Sequence, residues 1–419
     1  MFLPGASEPV VAGRLYQDGS RLSFNYGRSY LSRDDAIPIY APELPLRPGA
    51  HPPATGLSMP ACLRDAAPDA WGRRVILNRI LGLQGKDVDV ERLDELTYAL
   101  ESGSDRIGAL DFQASPDVYV PRRAEAASLE ELLTAAERVE QGIPITPELE
   151  QALFHGSALG GARPKALVDD GNTRLIAKFS SSSDVYNVVK GEFIAMRLAA
   201  LAGLKVAPVR LVRAAGRDIL LVERFDRVRQ ADGWTRRAMV SALTLFGLDE
   251  MMGRYASYED LATIIRQRFE DPVGTLRELF GRLTFNVLCG NIDDHARNHA
   301  AFWDGQSLTL TPAYDICPQG RAGNEASQAM LIFGQNRMSR LEVCLQAAGT
   351  FLLNRAEAEK IITDQVKIIR AKWEEVCDEA ALSEVDRRLF WRRQFLNPYA
   401  FEGASKGIAS VMLSDNTGG

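Results

Sequence analysis

The stretch from about residue 155 to 230 constrains the fold of this chain more than any other part of it. HGSALGGARPKALVDDGNTRLIAKFSS reads as a glycine-rich turn, a strand, a DDGN turn and a second strand ending at Lys178. VVKGEFIAMRLAALAG then places Val189, Phe193, Met196 and Ala200 on a helical repeat, with Gly203 set to end the helix in the left-handed conformation. VAPVRLVRA and DILLVERFDR are two further strands, and from about Ser241 helical patterns dominate, interrupted by one β segment, AAFWDGQSLTLTPAYDI. Strand, strand, helix, strand, strand and then a helical remainder predict an α+β chain with a β-rich small lobe and a helical large lobe.

The segment before this block has its own pattern. VVAGRLYQDGSRLSFNYGRSYL alternates apolar and polar positions around a DG turn, which predicts a hairpin. RPGAHPPATGLS is dense in proline and glycine and reads as a loop. RDAAPDAWGRRVILNRILGL follows with Trp71, Val75, Ile76 and Ile80 at helical spacing, and short helical patterns continue from Leu93 to Val139 before GIPITPE breaks them. At 419 residues the chain exceeds what one core usually supports. The expected division is an N-terminal β and helical subdomain over 1–145, a small lobe over 146–230 and a helical lobe over 231–419.

Several function classes are disfavoured. A net charge of -6 and a pI near 5.5 lack the basic footprint of a nucleic-acid-binding chain. The five cysteines lie far apart and form no CxxC or Cys/His cluster, so neither a zinc site nor a disulfide framework is indicated. No stretch approaches the roughly 18 uninterrupted apolar residues of a membrane span, and MFLPGASEPVVAG has neither the basic nor the apolar region of a leader. A cytoplasmic protein is the expectation.

The chemistry is concentrated in CGNIDDHARNHA and the TPAYDI that follows it. Transfer of a phosphoryl group to a hydroxyl needs a carboxylate to accept the hydroxyl proton and oxygen ligands that hold Mg²⁺ against the phosphates. Asp293 and Asn298 have the D-x-x-x-x-N spacing of the base and a metal-binding asparagine, and Asp315 follows as the second metal ligand. The bland alternative is that Asp293 and Asp294 cap a helix and His295 is a core residue. Upstream, Gly156, Gly160 and Gly161 form a turn whose backbone can approach phosphates, and Lys178 in LIAKF supplies a cation. Glu192 is a candidate partner for Lys178, with a solvated surface glutamate as the alternative. Glu223 to Phe225, where LLVERFDR turns polar, stand where an extended segment would meet an adenine edge, or where a strand simply leaves the core.

GGARPKA, LIAKF, GEFIAMRLAALAGLKVAPV, LLVERFDR, GNIDDHARN and PAYDI, in this order, resemble the HipA family of serine/threonine kinase toxins, and LRDAAPDAWGRRVI is similar to the segment before the core in that family. The resemblance implies a bilobal protein-kinase-like fold, ATP and Mg²⁺ as cofactors, Asp293 as base and Asn298 and Asp315 as metal ligands. It further implies that Lys178, Gly160 and Gly161 hold the phosphates, that Glu223 and Phe225 line the adenine pocket, and that His295 and Arg297 support the loop. Family members phosphorylate a serine of the glycine-rich loop and so eject it. The matching positions here are Ala158 and Gly160, with Ser157 one residue off, so either Ser157 is the autophosphorylation site of a shifted loop or the brake is absent. The implied partners are a basic, dimeric helix-turn-helix antitoxin of the HipB type, with operator DNA reached only through it, and a protein substrate from translation such as an aminoacyl-tRNA synthetase. A kinase-fold binding protein with weak catalysis and a small-molecule kinase are the competing readings. Retention of Asp293, Asn298, Asp315 and Lys178 argues against the first, and the lack of a basic membrane-facing tract argues against the lipid version of the second.

Overall fold

The fold follows from two separate apolar cores, one under a small sheet and one within a bundle of helices. The structure, a computed structural model, describes all residues except 83–88, 90–91, 123–126, 144–145, 147–148, 150–156, 182–183, 185, 232, 322 and 414–419. The chain forms two compact units. The first comprises Met1–Val185, Arg210–Val240 and Phe302–Gln306, and the second Tyr186–Val209, Ser241–Ala301 and Ser307–Gly419. Most of segments 1–145 and 146–230 therefore lies in one unit.

In the first unit, β1 (Gly13–Asp18) and β2 (Arg21–Tyr26) pair through a tight turn in which Gly19 has φ +63°, as the DG signal predicts. The Pro/Gly-rich loop contains a two-residue strand, β3 (Ala50–His51), that adds to β2. A four-stranded sheet of β4 (Lys165–Asp169), β5 (Arg174–Phe179), β6 (Val209–Ala214) and β7 (Arg217–Glu223) runs in the order β4-β5-β7-β6. Leu175, Ala177 and Phe179 alternate with Arg174, Ile176 and Lys178 along β5, so one face enters the core and the other carries the lysine. Against the core face pack Trp71 and Val75 of α1 (Ala70–Leu81) and Leu132, Leu133 and Val139 of α3 (Leu129–Gln141). Each large apolar side chain buried there contributes about 1.5–3 kcal/mol.

Helix α1 also corrects one expectation. Trp71, Val75 and Ile76 are buried, but Ile80 is 41% exposed. Nine residues separate Ile80 from Trp71, which at about 100° per residue puts it on the opposite face. Leu77 instead joins Ile76 and Tyr98 of α2 (Glu95–Glu101) in a small second cluster. An unforeseen hairpin of β8 (Arg227–Gln230) and β9 (Gly233–Arg236) follows β7, its polar residues giving no apolar alternation to read.

The exit of β7 is locked by charge. Arg224 and Arg227 are buried and each pairs with both Asp226 and Asp105 at 2.6–3.1 Å. Gly108 N–H donates to Asp226 at 2.8 Å, and Arg224 donates to the Arg106 carbonyl at 2.7 Å. The loop after α2 is thus tied to the end of the central strand.

In the second unit, α4 (Val188–Leu201) buries Val189, Phe193, Ile194, Met196 and Leu198. Ala200 is exposed, off the stripe expected of it, while Gly203 has φ +87° and ends the helix as predicted. Gly191 lies against the Phe390 ring, where a Cβ would come within 3.0 Å. Helix α5 (Tyr258–Arg268) leads into α6 (Pro272–Cys289), which starts with an Asp271 cap and Pro272 and is buried along nearly its whole C-terminal half. The long α7 (Arg355–Glu379) meets α6 through Gln365, which donates to the Gly281 carbonyl and accepts from Thr284.

Removing Asp226 would leave two buried guanidinium groups short of a counter-charge. Asp226→Ala is expected to lower stability by about 3–5 kcal/mol, read by urea denaturation followed by circular dichroism; a loss below about 1 kcal/mol would show that the network contributes little. Burial acts to raise the Asp226 and Asp105 pKa values, but the neighbouring arginines outweigh it and hold both below the ordinary range. Their contribution is present above the unfolded value of about 3.9 and is lost only as pH falls through the lower folded values. No stability loss from this pair is therefore expected between about pH 7 and 5.

Candidate functional site

Helix α6 ends at Gly290, whose φ of +73° and close approach to the Gln394 backbone, 2.8 Å from where a Cβ would sit, leave no room for a side chain. The chain then enters a loop rather than a helix. Asn291 donates to Asn286 at 3.0 Å, the Ile292 carbonyl accepts from Ala329 N–H at 3.1 Å, and a single turn of 3₁₀ helix, Ala296–Asn298, closes the segment. Asn298 Nδ2 donates to the Asp293 carbonyl at 3.1 Å, so the first and last residues of the D-x-x-x-x-N spacing are joined directly. Tyr314 donates its hydroxyl to the Arg297 carbonyl at 2.6 Å and brings the PAYDI segment to the same loop. Arg297 is also ion-paired with Glu250.

The two adjacent aspartates have opposite environments. Asp294 is buried and accepts from the Tyr258 hydroxyl and from His299 Nε2, the latter at 3.0 Å. Burial acts to raise its pKa, but His299 and Tyr258 outweigh that and hold it below the ordinary value. Asp293 is exposed at the loop surface. Partial loss of hydration lifts its pKa, His295 offsets part of the rise, and the charges of Asp315 and Asp294 add to it. The helix-cap alternative does not describe Asp294, whose partners are Tyr258 and His299.

Asp315 stands at φ +60°, an uncommon conformation for a residue other than glycine. Its charge is felt at Asp293, so two carboxylates and the Asn298 amide share one region of the second unit. This is a hard oxygen donor set of the kind Mg²⁺ takes, and among the described residues no cluster of three His, Cys, Asp or Glu side chains suits a softer metal. The buried Nδ1 of His295 has no hydrogen-bond partner. These residues fit a nucleotide-bound divalent ion.

The first unit holds the other expected residues. Gly161 has φ +94°, donates its N–H to Asp69 at 2.7 Å and accepts from Trp71 N–H at 3.1 Å. Lys165 donates to the Gly160 carbonyl at 2.5 Å. Gly72 packs so closely on the Ser157 carbonyl that a Cβ would lie 2.1 Å from its oxygen. The start of α1 therefore clamps the glycine-rich turn. Ser157 is fully buried, and its Oγ accepts from Gly103 N–H at 3.2 Å. Gly156 lies outside the described residues. Lys178 is half-buried on β5, opposite Lys165 and Leu220. Glu223 is exposed at the end of β7, and Phe225 is half-buried with its ring edge-on to Phe302, 5.9 Å between centroids. Glu192 belongs to the second unit and is buried, so it is not a solvated surface residue. Asp293, His295, Asn298 and Asp315 are thus brought together in one unit, and Gly160, Gly161, Lys178, Glu223 and Phe225 belong to the other. Asp294, Tyr258 and His299 were missed by the sequence reading, for which the doubled aspartate and the second histidine of DDHARNH were the available signal.

Known proteins share this arrangement of sequence. The HipA N-terminal domain matches residues 7–113, and the HipA-like C-terminal domain matches residues 157–373. Y4mE, a candidate kinase of Sinorhizobium fredii, is 27% identical over 335 residues, which is 73% of this chain and 74% of that protein. The serine/threonine-protein kinase toxin HipA of Shewanella oneidensis is 27% identical over 250 residues, 52% of this chain and 56% of that protein. Among solved structures, the Shewanella oneidensis complex of HipA, HipB and operator DNA aligns with a TM-score of 0.69 at 20% identity over 96% of this chain and 94% of that one. That likeness is one of fold, and it bears out the α+β, protein-kinase-like class.

The buried Asp294 depends on its two donors. Tyr258→Phe removes one and is expected to cost about 1–3 kcal/mol, measured as a lowered midpoint of chemical unfolding. An unchanged midpoint would mean that Asp294 is satisfied without the tyrosine.

Proposed function

This chain belongs to the HipA family, and from that premise we propose that it is an ATP- and Mg²⁺-dependent serine/threonine protein kinase acting as a toxin. The observation that carries the reading is the direct closure of the Asp293 to Asn298 loop with Asp315 beside it. Asp293, exposed and with its pKa raised, accepts the proton of the acceptor hydroxyl. Asn298 and Asp315 hold Mg²⁺, which when bound neutralises charge on the transferred phosphates. Gly160 and Gly161 present backbone to the phosphates, Lys178 pairs with them, and Glu223 and Phe225 line the adenine pocket. His295 is proposed as a further residue of the nucleotide site that supports the loop.

The segments 1–145, 146–230 and 231–419 are proposed as the N-terminal subdomain, the nucleotide-holding lobe and the catalytic lobe. Among the described residues no helix is long and apolar enough to cross a membrane, in keeping with a proposed cytoplasmic location. The net charge of -6 complements a basic helix-turn-helix antitoxin of the HipB kind, through which operator DNA is reached. The substrate is a protein of translation, with aminoacyl-tRNA synthetases the leading class. Ser157 is proposed as the autophosphorylation site. Because its hydroxyl is buried against Gly103, the glycine-rich turn must leave its seat on α1 before the serine can react.

Asp293→Asn is expected to reduce phosphate transfer from labelled ATP by at least about 10²-fold while nucleotide affinity by calorimetry stays within about twofold. EDTA is expected to weaken that affinity, and equal affinity without the ion would count against Asn298 and Asp315 as ligands. Long incubation with Mg²⁺ and ATP is expected to add one phosphate mapping to Ser157, carrying about −1.5 to −2 charges. Intact-protein mass spectrometry with no mass gain would remove that assignment.

A further inference from the structure

The ionic network at the end of β7 is not charge-balanced. Through the Arg106 carbonyl, which accepts from Arg224 and Arg227, it extends to Asp111, which binds Arg106 at 3.0 Å and Arg122 at 3.1 Å. Arg236 donates to the Ser104 carbonyl at 2.9 Å, lies over the Phe2 ring at 3.8 Å and feels the charge of Asp105 without an ion pair among the described residues. Among the described residues the connected groups are Arg106, Arg122, Arg224, Arg227 and Arg236 against Asp105, Asp111 and Asp226, an excess of two positive charges. Unbalanced charge is costly away from water. Burial pushes the Arg236 and Arg106 pKa values down to about 10, against the opposing pull of Asp105 and Asp111.

The excess faces a space. A cavity of about 530 Å³ opens beside the network, its described lining residues all in the first unit, and Arg122, Arg227 and Arg236 reach its wall together with Asp105, the partner of Arg227. Leu132, Leu167, Ala127 and Tyr119 add apolar surface to the lining. The Tyr119 hydroxyl is buried beside Asp111 and Ser104. A second pair on the wall, Arg174 with Asp169 at 2.7 Å, is neutral as a unit, and Glu8 stands at the exposed rim. Gly160, Gly161, Lys178, Glu223 and Phe225 do not line it. The volume falls in the range of small-molecule sites, about 300–1,000 Å³, and exceeds what a bare inorganic ion would fill.

We propose that this cavity is a second ligand site, separate from the nucleotide-holding residues, that takes a small organic phosphate. The phosphate meets the guanidinium edges of Arg236 and Arg122, where charge-assisted bonds are strongest. The body of the molecule lies against Leu132, Leu167 and Tyr119. Such a ligand balances the two surplus charges.

Isothermal titration of the full chain with pyrophosphate, glycerol phosphate and uridine monophosphate, at matched ionic strength in sodium chloride, tests the proposal. At least one probe carrying an organic body is expected to bind more tightly than pyrophosphate. Arg236→Gln is expected to weaken that binding by about tenfold or more, and Lys178→Ala to leave it unchanged. Ser7 lines the cavity and belongs to no ion pair of the network, so Ser7→Trp is expected to narrow the cavity and weaken binding even where Arg236→Gln disturbs the fold. Equal affinity in Ser7→Trp and the unaltered chain would overturn the proposal. So would loss of binding in Lys178→Ala, which would place the probe at the nucleotide-holding residues, or the absence of millimolar binding by every probe.

Discussion

The pairing of Asp226 and Asp105 with Arg224 and Arg227 is the interaction on which the first unit depends. It sits where the central strand β7 leaves the sheet, and it fastens that exit to the loop after α2 through Gly108 and the Arg106 carbonyl. Glu223 and Phe225 flank Arg224, so the direction in which they leave the sheet is set by a buried charge pair rather than by apolar packing. Breaking one partner of such a pair is far more costly than never having made it, because the remaining charge stays buried.

The second unit relies on a smaller version of the same device. Asp294 is held by Tyr258 from α5 and by His299 from beyond the 3₁₀ turn, so the loop from Asp293 to Asn298 is pinned from within while Asp293 stays at the surface. The closure of Asn298 onto the Asp293 carbonyl then sets the two ends of the loop against each other. A buried, satisfied aspartate beside an exposed one with a raised pKa is a division of labour that gives a loop both a fixed shape and a proton acceptor.

The glycine-rich turn has a third kind of support. Its backbone is bonded to Asp69 and Trp71 at the start of α1, and Gly72 is present because the Ser157 carbonyl occupies the place of a side chain. The N-terminal subdomain is therefore part of what shapes the turn, a role that no motif in GGARPKA discloses. It also gives the Ser157 hydroxyl its buried setting against Gly103.

Periodicity was enough to place most of the elements, the β8–β9 hairpin excepted. The alternation of Leu175, Ala177 and Phe179, the helical stripe of Val189, Phe193 and Met196, and the stops at Gly203 and the DDGN turn are local, because each rests on side-chain spacing within a single element. The D-x-x-x-x-N spacing and the later aspartate were legible for the same reason. What the spacing of Trp71 and Ile80 could not show was which face of α1 the sheet would cover, and Ile80 is exposed on that account. Asp105 and Asp226 are far apart in sequence and carry no motif, and Asp294 offered only a helix cap as its reading. Their burial was decided only when distant segments came together, since whether a charge is solvated or paired depends on neighbours that the chain order does not list. The sequence by itself thus determined most of the elements and the spacing of Asp293, Asn298 and Asp315, and the tertiary structure alone decided which charges are buried, which are balanced and which face an open cavity.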